Sequence, residues 1–403
     1  HEHTALTPPD ECSDPIHGRV RPVRDRTTLL AYAQLGLLGW FVYGFGASLT
    51  LLRDDEGLTR TVAALLGVSL AVGGTLGSLM AANVVRRWGR GAMLRAGSTL
   101  LAIGSLLYVS DGPFALIAMG PLLGSLGASF CAVGVSAYLE ARQGRAADAA
   151  LAEANVVASI ASLVGTFAIG VGAVTILGWR SGMVLLAMMA IALELVRGRA
   201  VAPFNVGTAL ESRIDAPRLP RLVGWAILTL VLLTSVEITL LQWGADLLRE
   251  RGGMGAAAAS ASIAAIVTGM IVGRIVGSRI VEYVSSEIVF GASILLAAAG
   301  FIFTWTVSGA PLMITGFLIT GAGIGMHFPL GIGRAMRASV GQPDRAAGWT
   351  SAGIGVMSGV TPFLLAGLAD SWGVRNAFAM MILFFGASFA LLLWKPVPVN
   401  VSV

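Results

Sequence analysis

Apolar residues come along this chain in long blocks, not at alternate positions or along one helical face. A helix needs about 20 apolar residues to cross a bilayer, and about twelve blocks reach that length. They cover 28–52, 61–84, 92–110, 113–138, 153–176, 181–197, 222–247, 255–280, 286–307, 311–333, 347–368 and 375–394. Polar turn signals separate them: DDEG at 54–57, RRWGRG at 86–91, SDGP at 110–113 and GQPD at 341–344. Lipid offers no water to backbone groups, so each block is predicted to be a helix. Residues 1–26 are mostly polar, so the first block does not read as a signal peptide.

Arginine placement orients the blocks. The loop after block two carries Arg86, Arg87, Arg90 and Arg95, and the stretch after block six carries Arg197, Arg199, Arg213, Arg218 and Arg221. Arg334 and Arg337 follow block ten, and loops on the other side carry fewer arginines. Both termini are therefore expected in the cytoplasm. Residues 198–221, with Pro203, Pro217 and Pro220, split six blocks from six. The expected organisation is a tail at 1–26, a six-helix bundle at 27–197, a linker at 198–221, a second bundle at 222–397 and a tail at 398–403. The halves echo each other. RAGSTLL at 95–101 resembles VFGASILL at 289–296, and GWR at 178–180 recurs as WGVR at 372–375. A six-plus-six repeat points to two halves rocking about a central site.

Composition narrows the classes further. Of the 403 residues, 56% are hydrophobic and 12% charged, and mean hydropathy is +0.80. Soluble domains carry roughly 25% charge, so a soluble enzyme is excluded. The net charge of +5 sits in short clusters between apolar blocks, which excludes a nucleic-acid-binding face. All basic residues but Lys395 are arginine, which reads as coding bias. Cys12 and Cys131 suggest neither disulfide nor metal site. The tail residues His1, His3 and His17 could bind a metal only weakly. No metal-ligand, phosphate-loop or nucleophile motif is found, so no cofactor, metal or catalytic residue is expected.

Few side chains inside the blocks can carry chemistry. Glu237 is the only charge between Leu222 and Leu241. An ionised carboxylate is expensive in hydrocarbon, so Glu237 is a candidate to gain and lose a proton; the alternative is a protonated packing residue. His327 lies on the small-residue stripe Gly316, Thr320, Gly323 and could pass a proton, or merely bond a neighbour. Residue counting puts it too far from Glu237 for a direct pair. Asn155, Ser159, Ser162 and Thr166 form one polar face by helical spacing and could line a cavity or bond another helix. Tyr43, Gln242 and Trp243 are further cavity candidates, although Tyr43 reads more simply as filler in a tight helix contact and Trp243 could instead anchor at an interface. Glycines in blocks two, four and eleven read as helix contacts, and Pro329 and Pro362 as kinks.

The six-plus-six spans and the RRWGRG loop resemble the major facilitator superfamily. Arg86 stands where that family's loop carries an acid. EITLLQWGADLL at 237–248, GRIVGSRI at 273–280 and ALAEANVVAS at 150–159 resemble the bacterial inner-membrane branch near the fucose–proton symporters. Gln242 replaces that branch's acid before Trp243. The resemblance implies an all-α fold of twelve transmembrane helices in two bundles with pseudo-two-fold symmetry. It also implies alternating access, and an inner gate drawn from Arg86, Arg87, Arg90, Glu140, Arg142, Glu153, Glu194, Arg274 and Arg334.

The expected function is secondary transport of a small organic solute, coupled to protons, across the bacterial inner membrane. The expected partners are that solute, protons and the lipid bilayer, with no nucleic acid, and the chain is read as working as a monomer. Drug or metabolite efflux is the first alternative. GTFAIGVGAV at 165–174 lacks the Gly-Pro pair usual in drug antiporters, which weighs mildly against it. A non-transporting sensor would need an output domain, and an enzyme would need a clustered catalytic group.

Overall fold

The computed structural model describes residues 22–143, 146–198, 202–205, 219–281, 283–339 and 343–395. The tail histidines, Cys12 and most of the linker lie outside them. Fourteen α-helices follow in order among these residues: α1 (Arg26–Asp55), α2 (Arg60–Trp88), α3 (Arg90–Tyr108), α4 (Phe114–Gln143), α5 (Ala147–Ala173), α6 (Arg180–Arg197), α7 (Arg221–Gly252), α8 (Ala256–Ser262), α9 (Ala264–Ile280), α10 (Ser286–Thr306), α11 (Ala310–Ile324), α12 (His327–Ala338), α13 (Pro343–Trp372) and α14 (Val374–Trp394). The pairs α8–α9 and α11–α12 are each one broken span, so the expected twelve spans are all present. Ten are long and apolar enough to cross a membrane by length and composition. The other two, α3 and α6, have 19 and 18 residues, about 28 Å at 1.5 Å per residue, close to the bilayer core. Bulky side chains such as Leu195 and Leu383 stay more than 70% exposed, which suits a lipid-facing wall.

Helices α1–α6 form one bundle and α7–α14 the other. In the first, α3 and α2 pack on α4, and α1 on α5; in the second, α9 and α10 pack on α11, and α13 and α14 on α7. The bundles meet along α2–α13, α1–α7, and α5 with α8 and α9. One end of the molecule carries Arg26, Arg197, Arg221 and Lys395 and is called the terminal face here. The turns at 56–59, 174–179, 253–255, 307–309 and 373 mark the opposite face. The repeat in sequence has a structural counterpart: Gly178 before α6 and Gly373 before α14 both adopt positive φ, 69° and 83°. Glycine takes that conformation without a Cβ clash.

Local chemistry sets the ends and breaks. Asp25 caps α1, accepting from the Thr28 amide at 2.8 Å, and also accepts from Arg142 at 3.1 Å. Burial alone would raise its carboxyl, but these hydrogen bonds outweigh it and hold it at about 2. Because the folded value lies below the ordinary one, Asp25 contributes stability above the ordinary carboxylate range, lost as pH falls towards 2. Asp25→Ala is expected to destabilise the protein by roughly 0.5–2 kcal/mol at neutral pH. Thermal unfolding in detergent would show that loss shrinking as pH falls; a pH-independent loss would contradict the assignment.

Pro329 explains the break in the tenth span. A proline has no N–H for the carbonyl four residues back, and its ring crowds that oxygen. The carbonyl concerned is that of Gly325, and the break falls at Gly325–Met326. By contrast α13 continues through Pro362.

Candidate functional site

A cavity of about 140 Å³ opens midway along the spans, between α1, α5 and α9. Its wall includes Gly39, Tyr43, Asn155, Ser159, Ser162 and Arg274. Gly39 lies so close to the Ala158 carbonyl and the Ser162 hydroxyl that a Cβ would clash. That close approach brings the polar face of α5 beside Tyr43. Asn155 donates to Leu151 O, Ser159 to Asn155 O and Ser162 to Ala158 O, at 2.7–2.8 Å. Each side-chain donor on α5 is thus partly or wholly engaged with its own helix, and the oxygens are left as acceptors. Thr166 is buried one turn further along and bonds Ser162 O at 2.9 Å; it does not line the cavity.

The second bundle contributes Glu237. The Tyr43 hydroxyl donates to Glu237 Oε1 at 3.0 Å, across the seam between α1 and α7. Thr234, Ser235 and Thr239 point their hydroxyls at carbonyls four residues back on α7, so Glu237 does not depend on them. Arg274 completes the cluster. Its Nη1 donates to Ser159 Oγ at 3.2 Å, again across the seam, and it lies near enough to Tyr43 and Glu237 to interact electrostatically with both. Its Nε donates to Gly325 O at 3.2 Å, the carbonyl that Pro329 leaves without its helical partner. The kink in one span thereby fixes the cation on another.

Other sequence candidates lie elsewhere. Arg274, expected among the gate charges, belongs to the cavity wall. Gln242 is buried against Gly67 of α2, and Trp243 is fully buried, so Trp243 is not an interfacial anchor. His327 is buried at the start of α12, edge-on to Phe290 with ring centroids 6.4 Å apart. It does not line the cavity.

The expected gate charges pair within their own bundles. Glu153 accepts from Arg24 at 2.6 Å and Arg142 bonds Asp25. Glu194 pairs with Arg95 at 3.4 Å and Arg197 at 3.0 Å, and Arg334 pairs with Glu287 at 3.0 Å. Arg86 donates to Asn83 at 2.7 Å, Arg87 lies over Trp88, and Arg90 is buried with Glu140 as a charged neighbour. The ion pairs of Glu153, Arg142, Glu194 and Arg334 at the terminal face each stay within one bundle.

The ion pairs that do cross the seam sit at the opposite face, and sequence reading missed them. Asp246 of α7, only 2% exposed, accepts from Arg53 of α1 and from Arg60 of α2, the latter at 2.9 Å. Arg249 pairs with Asp54 at 2.5 Å, and Asp370 accepts from Thr61 Oγ1 at 2.7 Å. The Ser260 hydroxyl also donates to Ala47 O. The bundles are therefore clasped at the opposite face. One signal was available: Asp246 is a second carboxylate inside the apolar block of α7.

Two bundles around a polar, membrane-embedded cavity are the architecture of a solute transporter. The chain belongs to the Major Facilitator Superfamily, whose family model matches residues 31–339. Among solved structures, a D-xylose-proton symporter superposes with TM-score 0.74 at 12% identity, covering 92% of this chain and 97% of that one. The inward open xylose transporter XylE from E. coli gives 0.71 at 13%, covering 94% and 97%. The E. coli fucose:proton symporter FucP, the branch suggested by the motifs, gives 0.58 at 15%, covering 92% and 99%. At these identities the likeness is one of fold. No curated protein sequence matches the chain.

Proposed function

We propose that this chain is a proton-coupled secondary transporter of a small polar solute, working as a monomer in the bacterial inner membrane by alternating access. The terminal face is assigned to the cytoplasm, which makes the clasped state inward-facing. The observation that carries the reading is the 3.0 Å Tyr43–Glu237 hydrogen bond across the seam, beside the polar cavity.

The mechanism follows from differential surroundings. When the bundles rock, Glu237 must exchange Tyr43 of the first bundle for other partners, while Arg274 travels with it in the second. A carboxylate whose surroundings change between two states binds its proton with different affinity in each. Proton binding and solute binding then bias the same rocking equilibrium, which couples their gradients. Proton symporters among the structural neighbours support this reading. Proteoliposomes under an imposed pH gradient test it: labelled solute should accumulate above equilibrium, and a proton ionophore should abolish the excess. Accumulation indifferent to the ionophore contradicts it.

Coupling is assigned to Glu237 and not to His327, which packs on Phe290 away from the cavity. His327→Gln should keep the wild-type pH profile of transport. A shifted profile would bring His327 into the proton path.

A further inference from the structure

Proton coupling needs Glu237, but it does not by itself need a guanidinium in the cavity wall. Arg274 is the one cation lining that cavity among the described residues. Its hydrogen bonds to Ser159 Oγ and Gly325 O, and its contact with the Tyr43 hydroxyl, all involve neutral groups. A guanidinium has five N–H donors, so donors remain for a ligand. No salt bridge satisfies it among the described residues, whereas Arg95, Arg197 and Arg334 pair with carboxylates.

We propose that the transported solute is a small monocarboxylate carrying a hydroxyl or similar polar group, with its carboxylate seated on Arg274. This deepens the transporter reading and rests on it. When Glu237 carries the coupled proton it offers Arg274 no counter-charge, so a neutral solute would then leave the guanidinium unbalanced in a low-dielectric site, which is costly. A monocarboxylate cancels its charge and matches its planar fork. A phosphate dianion would overcompensate it. The α5 face supplies acceptors for a solute hydroxyl, and the Tyr43 oxygen, its one O–H given to Glu237, adds a further acceptor. At about 140 Å³ the cavity is well below the roughly 300 Å³ at which drug-sized sites begin. One monocarboxylate carried with one proton moves no net charge. Accumulation should therefore follow the pH gradient and ignore an imposed membrane potential.

The test uses the full chain in proteoliposomes, with protein-free vesicles as the blank. Lactate and glycerate are the acid probes, and glycerol and xylose the neutral ones. The expected result is that an acid probe accumulates under a pH gradient, insensitive to potential, while the neutral probes do not. Arg274→Gln should weaken acid uptake roughly tenfold or more, and Arg274→Lys should restore part of it. Uptake of glycerol or xylose by wild type and Arg274→Gln alike, with no acid uptake, overturns the carboxylate assignment and leaves proton coupling standing. Accumulation of no probe from either class overturns both. The wild-type selectivity decides the matter even if the variants fail to fold.

Discussion

Glu237→Gln should exchange solute across the membrane yet fail to accumulate it. Glutamine keeps the shape and can still accept the Tyr43 hydroxyl, so the seam contact at 3.0 Å is preserved. It cannot gain or lose a proton near neutral pH. Rocking with solute bound therefore remains possible, whereas the link to the proton gradient is cut. Counterflow, in which internal unlabelled solute drives labelled solute inward, should persist within a fewfold of wild type. The accumulation ratio under a pH gradient should fall to about one, because no coupling free energy remains. A variant that accumulates like wild type removes Glu237 from the proton path. A variant that loses counterflow as well assigns Glu237 to solute binding or to the rocking itself.

Asp246→Asn should open the opposite face. Asp246 is buried and serves Arg53 and Arg60 together, so its loss leaves Arg53 only Asp54, which Arg249 also uses, and Arg60 only Asp370. Removing one partner of a buried ion pair costs about 3–5 kcal/mol. The low end applies here, because Arg60 keeps Asp370 at 3.7 Å and partial contact with solvent. About 3 kcal/mol shifts a two-state equilibrium roughly a hundredfold. In alternating access that penalty falls on the clasped state, where these contacts are made. Spin labels at Thr175 and Ser308, on exposed turns of the two bundles, would report it in a background lacking Cys12 and Cys131. The variant should populate a longer distance than wild type. An unchanged distribution would mean that the clasp does not set the equilibrium.

How far the sequence could be read depended on the range of the interactions. Span length is a local property, so twelve apolar blocks were enough for the twelve spans and the two-bundle architecture. The cavity was partly legible for the same reason. Helical spacing placed Asn155, Ser159 and Ser162 on one face, and isolation in an apolar block singled out Glu237. What failed was long-range pairing. Arg274 was read as an end-of-span charge, because residue counting cannot show that a kink at Pro329 frees the Gly325 carbonyl to hold it inward. The Asp246 clasp joins residues far apart in the chain, and no periodicity reports such a pair. The terminal-face charges were located but not their partners: counting places a charge at a face, and packing decides which bundle answers it.

Proton movement measured alongside solute movement separates coupled from uncoupled transport. Proteoliposomes loaded with a pH-sensitive dye would receive labelled lactate, glycerate, glycerol or xylose in turn, with no imposed gradient. The expected result is solute uptake accompanied by lumenal acidification beyond that of protein-free vesicles, in proportion to the protein present and absent in Glu237→Gln. Protein-dependent solute uptake with no protein-dependent acidification would contradict proton coupling through Glu237.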